Sequence, residues 1–230
     1  MKGMLKWLLA LPFAAVILFN AYVYGNIITY RAVAPQASSF MTMRMSEYRQ
    51  AGKQVALDYR WVAYDDISTN LKKALIASED AKFAEHGGFD WSGIRNAIKR
   101  NQRSGQVRAG GSTISQQLSK NLFLNDSRSY IRKVEEAAIT AMLEATTDKD
   151  RIFALYLNMI EWGPGVFGAE AASQYFFKKP AAGLTKQQAA QLAARVPRPL
   201  YYAENPRDRT LRNRTNIILR RMGSAELPEN

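Results

Sequence analysis

From Trp7 to Tyr30 the chain carries no charge, and Trp7 to Tyr24 is almost wholly apolar apart from Asn20. In lipid such a stretch can satisfy its backbone groups only by closing them into a helix, so it defines one element: a single helix able to span a bilayer. Lys2 and Lys6 precede it. They favour a cytoplasmic N-terminus and place the remainder outside the cytoplasm, against the opposing pull of Arg31. The alternative is a cleaved signal peptide, because Ala32-Val33-Ala34 is a small-residue triplet. The apolar run is longer than a signal core, and Pro35 follows the triplet, so the anchor is preferred.

The remaining chain of a 230-residue protein is long enough for one main core and too short for two full-sized enzymatic domains. Lysine and arginine outnumber the acidic residues by 32 to 20, which favours polyanions: nucleic acid, an anionic lipid surface or a phosphorylated substrate. The absence of cysteine excludes thiolate catalysis, Fe-S clusters, cysteine-ligated zinc and disulfides. One histidine excludes a multi-histidine metal site.

Residues 31–57 show a weak pattern in which Met41, Met43 and Met45 alternate with Thr42 and Arg44, and they read as a juxtamembrane connector. Beyond a short extended piece at Tyr59 to Ala63, the periodicity is helical. Ser68 caps a helix carrying Leu71, Ala74 and Leu75, and Asp90 caps one with an apolar stripe of Trp91, Ile94, Ala97 and Ile98. That second helix is expected to end at Lys99-Arg100-Asn101. Gln102 to Gly111 reads as a mobile loop or lid. Thr113 and Gln116 have capping-box spacing, so a helix begins near Ile114, burying Ile114, Leu118 and Leu122 with Gln117, Lys120 and Asn121 beside them. Tyr130 to Ala145 is expected to turn Val134, Ala137, Ala138, Ala141 and Met142 inward. Helices follow at Asp150 to Met159, after the Thr185/Gln188 capping box, and at Arg207 to Met222. No run of alternating strand residues is convincing, so the class is mainly α.

Ser78 to Gly88 gathers Glu79, Asp80, Glu85 and His86 at the end of one helix. Taken singly, each polar cluster has an ordinary structural reading. Glu79 and Asp80 can be solvated helix-end charges, Arg132 and Glu136 a surface pair at i, i+4, and Ser112, Thr113 and Ser115 a helix cap. Combined, a carboxylate, a glycine loop opening onto a helix N-terminus and cations on neighbouring helices supply a base and an anion pocket. A membrane anchor in the same chain suggests that the anion belongs to a lipid-linked phosphate or pyrophosphate.

The ordered motifs Glu79-Asp80-x-x-Phe83-x-x-His86-x-Gly88, Gly111-Ser112-Thr113-Ile114-Ser115-Gln116-Gln117-x-x-Lys120-Asn121 and Arg132-Lys133-x-x-Glu136 resemble those of the peptidoglycan glycosyltransferases. Tyr156-Leu157-Asn158, the glycines of E-W-G-P-G-V-F-G, Ala171-Ala172 and Tyr175-Phe176 continue the resemblance. It implies a single lysozyme-like helical domain over residues 58–225, between the connector and a short tail at 226–230. It also implies polymerisation of lipid II, with inversion, by attack of a sugar 4-hydroxyl on the lipid-linked donor strand. On that resemblance Glu79 is the general base and Glu136 the second catalytic glutamate, orienting cations or donor sugar. Lys120 and Arg132, assisted by Lys133, meet the pyrophosphate, while Ser112, Thr113, Gln117 and Asn121 bind donor sugar or phosphate. Asp80, Phe83 and His86 support the site.

No cofactor is required on this reading. Mg2+ or Mn2+ on the substrate pyrophosphate is chemically sensible, though the sequence shows no dedicated metal cage. The implied location is the outer face of a bacterial cytoplasmic membrane, among membrane lipids, with cell wall synthases and division proteins as candidate partners. Neither S-x-x-K nor K-T-G occurs, so the monofunctional rather than the penicillin-binding type is expected. Two rivals are a membrane-anchored DNA-binding protein, because S-T-I-S-Q-Q-L-S-K-N-L resembles a recognition helix, and a lysozyme-like lytic enzyme. The anchor's orientation opposes nucleic acid as a partner.

Overall fold

The computed structural model describes residues 2–105, 111–127 and 129–228. Helix α1 runs Lys2–Tyr30. Its segment Phe13–Tyr30 has a mean hydropathy of 1.4 and only 11% of it is buried in the protein, so it is long and apolar enough to cross a membrane. The far end docks on the remainder of the chain. Val23 and Ile27 are buried, Tyr30 stacks on Phe123, and Arg151 donates to the carbonyls of Tyr30 (2.7 Å) and Val33 (2.8 Å). The first satisfies an acceptor that the helix end leaves open, and the second holds the turn that follows.

The stretch expected as a loose connector contains α2, Ser39–Gln50, capped by Ser38. Phe40 and Met41 enter the core, and Arg44 pairs with Glu161 across the fold. Two adjacent buried residues give little periodic signal, which is why the pattern there is weak. Then come β1 (Asp58–Tyr59), α3 (Thr69–Glu79), α4 (Trp91–Ser104), α5 (Ile114–Phe123), α6 (Tyr130–Thr146) and α7 (Lys149–Met159). The chain closes with β2 (Glu161–Gly163), β3 (Val166–Phe167), α8 (Ala169–Phe177), α9 (Lys186–Arg195), α10 (Pro199–Glu204) and α11 (Arg209–Arg221). The predicted caps at Ser68, Asp90, Thr113 and Thr185 all form.

The architecture is mainly α, as the periodicity implies. Helix α5 packs against α2, α6 and α7, while α9 lies against both α3 and α11. Trp162, Tyr156, Phe83, Phe153 and Phe167 are among the largest fully buried side chains of the core. The small sheet has the order β1-β3-β2, with β1 parallel and β2 antiparallel to β3. Strands of two or three residues are too short to display alternation, so the sequence hides them. At Gly168 the backbone takes φ +86° and a Cβ would lie 2.7 Å from the Asn158 carbonyl oxygen, so only glycine lets β3 turn into α8 there.

Two helices depart from the sequence expectation. Helix α4 continues to Ser104, past Asn101, and buries only Ala97 of its apolar stripe, leaving Trp91 and Ile98 exposed. Of the expected mobile loop, Gln102 to Ser104 belong to this helix, and residues 106–110 lie outside the described residues. Helix α6 is rotated relative to the expectation. Its buried residues are Glu136, Ile139, Thr140 and Leu143, whereas Val134 is 70% exposed and Ala138 and Ala141 also face outward. The polar residues turn inward because partners await them: Thr140 Oγ1 donates to Ser119 Oγ (3.1 Å), and Glu136 is held by two cations.

Asn158 is fully buried and anchors the segment after β1, accepting from the Val62 amide and donating to the Val62 carbonyl, both at 3.0 Å. Asn158→Ala strands both backbone groups, so it is expected to destabilise the fold by roughly 2–4 kcal/mol, read as a lower midpoint in chemical denaturation.

Candidate active site

Glu79 is the last residue of α3, where a side chain can leave the core. Ser78 Oγ donates to Glu79 Oε1 (2.8 Å), and Gln117 Nε2 of α5 donates to Oε2 (3.3 Å). The orientation of the Gln117 amide is set from behind. Tyr156 is fully buried, and burial, followed by the charges of Glu79 and Asp80, raises its phenol well above the ordinary value. It therefore stays protonated and donates to Gln117 Oε1 (3.0 Å), which leaves the amide nitrogen for Glu79. From α11, Arg214 Nη2 reaches within 3.9 Å of Glu79 Oε1.

Asp80 faces the other way. It is buried, with His86 Nε2 at 2.9 Å from Oδ1, and its Oδ2 accepts the Ile114 backbone N–H at 3.0 Å. Asp80 thus joins the acidic turn to the N-terminus of α5, where a negative charge is favoured. Phe83 lies beneath, fully buried against Phe153 with ring centres 5.4 Å apart.

Thr113, expected on the substrate, is instead committed to structure. It is buried, donates to the Gly88 carbonyl (2.7 Å) and accepts from the Gln116 amide in the capping box. Ser112 beside it is exposed. Gln117, Lys120 and Asn121 line a cavity of about 230 Å³ whose other walls include Phe40, Arg44, Glu161 and Pro197. Lys120 Nζ stands 3.5 Å from Asp126.

Arg132, Lys133 and Glu136 form a separate cluster on α6. Glu136 is 3% exposed and has both oxygens engaged, by Arg132 Nη1 (2.6 Å) and by Lys133. Each of its oxygens thus meets one cation. Arg132 also lines a second cavity, of about 410 Å³, shared with Phe19 of α1, Phe123, Leu124 and Ile131. The expected residues thus form three groups, around Glu79, along α5 and on α6, with Thr140 and Ser119 tying α6 to α5. Among the described residues, no group of three His, Asp or Glu side chains gathers to hold a metal ion. A recognition-helix role for α5 fails on burial, since Ile114, Ser115, Gln116, Leu118, Ser119, Asn121, Leu122 and Phe123 are all inside the protein.

Residues 46–223 match the family model described as Transglycosylase. The chain belongs to the transglycosylase family. It is similar along its whole length to the biosynthetic peptidoglycan transglycosylase of Neisseria meningitidis serogroup A, at 74% identity over 229 residues, covering 100% of this chain and 98% of that protein. The protein of the same description from Neisseria gonorrhoeae is 73% identical with the same coverage. As a transglycosylase the chain is a glycosyl-transferring enzyme with a mainly helical, lysozyme-like domain.

Three charged residues near these groups were given no role by sequence reasoning. Arg214 lies on the last helix, outside the ordered motifs, and Arg44 sits in the weakly patterned stretch before the matched residues. Glu161 is buried under the Arg44 fork at 3.0 Å. Burial pushes the Glu161 carboxyl up to about 7 from 4.5, although Arg44 pulls the other way. The unfolded chain therefore releases this proton at lower pH than the folded protein, and the stability owed to the group falls as pH rises from 4.5 to about 7. Melting temperatures measured across that window should decline less steeply in Glu161→Gln than in the parent.

Proposed function

We propose that this transglycosylase polymerises lipid II, a disaccharide-pentapeptide on undecaprenyl pyrophosphate, into peptidoglycan glycan strands at the outer face of a bacterial cytoplasmic membrane. The observation that carries the reading is the Glu79 carboxylate, aimed by Gln117 and Arg214, on the same helix-α5 flank that presents Lys120 and Asn121 to a cavity. Helix α1 supplies the anchor and keeps the site at the membrane, where a lipid-linked substrate is concentrated.

The acceptor's 4-hydroxyl oxygen bonds to the donor's anomeric carbon with inversion, and the bond from that carbon to the pyrophosphate oxygen breaks. Glu79 takes the hydroxyl proton, a role worth about a hundred- to ten-thousandfold in rate. The pyrophosphate leaves as an anion, so the protein's task on that side is to neutralise charge. Lys120 and Arg132 do this, Arg132 with a fork that can meet two oxygens. Glu136, between Arg132 and Lys133, holds those cations in place before substrate arrives. Asn121 and the exposed Ser112 are left to bind sugar or phosphate, and Gln117, which also lines the cavity, can add only its second amide N–H. Mg2+ or Mn2+ would enter on the pyrophosphate itself.

Glu79→Gln is expected to reduce polymer formation from lipid II by at least about a hundredfold with an unchanged melting temperature. Substantial residual polymerisation would remove Glu79 from the role of base. Lys120→Ala and Arg132→Ala should each weaken use of the donor, and unchanged kinetics in both would exclude them from the pyrophosphate pocket. Incubation of the parent enzyme with lipid II and, separately, with finished peptidoglycan distinguishes synthesis from lysis: strands are expected from the first and no cleavage of the second.

A further inference from the structure

One buried cation has no part in the chemistry around Glu79. Arg195 ends α9 and is 7% exposed. Its Nη1 donates to the Gln191 carbonyl (2.6 Å), its guanidinium carbon lies 4.6 Å from the centre of the Phe176 ring, and its Nε is buried with no hydrogen-bond partner. Among the described residues no carboxylate pairs with it. Burial accordingly lowers its pKa from the ordinary arginine value. Arg44 shows the contrast, being partly buried against two glutamates. A guanidinium withdrawn from water with only a neutral carbonyl and a ring face beside it is under-compensated, and its planar fork is suited to an anion with two oxygens.

The side chain lines a cavity of about 310 Å³ between α9 and α11. The wall adds Gln187 and Gln191 from α9, and Arg212, Thr215 and Asn216 from α11, with no carboxylate among the lining residues. The cavity beside Lys120 differs in this respect, because Glu161 and Asp126 balance its cations. We propose that the α9–α11 cavity is an oxyanion-binding site, separate from the catalytic one, that takes a small carboxylate or phosphate group. Arg195 is its buried anchor and the exposed Arg212 its mouth. An anion there bridges α9 to α11, the helix from which Arg214 reaches Glu79, so occupancy steadies that contact.

The test is binding, independent of whether the reaction is the one proposed above. Full-length protein with 15N-labelled arginine is prepared in an uncharged maltoside detergent, and the Arg195 Nε–H resonance is identified by its loss in Arg195→Lys. Sodium phosphate and sodium acetate are titrated separately at ionic strength held constant with chloride. A saturable shift with phosphate alone identifies a phosphate ligand, and one with acetate identifies a carboxylate. Arg212→Gln, on the surface and therefore expected to fold, should weaken the saturable binding by about ten- to a hundredfold. Arg132→Ala, which removes a cation of the catalytic site, should leave this titration unchanged. A shift that does not saturate with either anion, or is the same in Arg212→Gln as in the parent, overturns the proposal.

Discussion

The bond between the Asp80 carboxylate and the Ile114 backbone N–H, 3.0 Å long, holds the site together. It is buried, it places a negative charge on the positive end of α5, and its second oxygen is occupied by His86 at 2.9 Å. Through it the turn that follows Glu79 is set against the helix that carries Gln117, Lys120 and Asn121. The capping box of Thr113 and Gln116 completes the same helix start, and Thr113 reaches back to the Gly88 carbonyl at the far end of the acidic turn. Two segments about thirty residues apart in sequence are therefore joined at both ends of one turn, and the position of Glu79 relative to α5 follows.

Charge is arranged on that frame by pairing ahead of substrate. Arg132 and Lys133 converge on Glu136, Arg44 on Glu161, and Lys149 on Glu144, each acid lying deeper than its cation. A cation so held loses less freedom when it meets an anionic leaving group, which is the physical content of preorganisation. Among the described residues the buried Arg195 and Lys72 face rings with no acid in ion-pair distance, and Arg214 offers Glu79 only a long contact.

The apolar surface is organised separately. Helix α1 stays mostly bare over Phe13–Tyr30 yet docks through Val23, Ile27 and Tyr30, with Arg151 closing the Tyr30 carbonyl. This docking orders the stretch after it, so that α2 delivers Phe40 and Arg44 to the wall of the Lys120 cavity. Tyr130, Ile131 and Val134 remain uncovered on α6, a helix in contact with α1.

Much of this was legible from the residues alone. The uncharged run to Tyr30, the helical periods, the caps at Ser68, Asp90, Thr113 and Thr185, and the ordered polar motifs are local, and local patterns are set by the geometry of a single element. The inward face of α6 was not legible, because Glu136 and Thr140 turn inside only where Arg132, Lys133 and Ser119 await them. Nor were the two- and three-residue strands, which lack the length to alternate. The motifs named Glu79, Gln117 and Tyr156 without saying that Tyr156 holds Gln117 against Glu79, and they left out Arg214, from a helix more than a hundred residues away. Sequence by itself determined the long uncharged N-terminal helix, the helical class and the chemical groups on offer. Only the tertiary structure decided which cation meets which carboxylate, because that depends on how elements distant in the chain pack together, and no periodicity within one element encodes it.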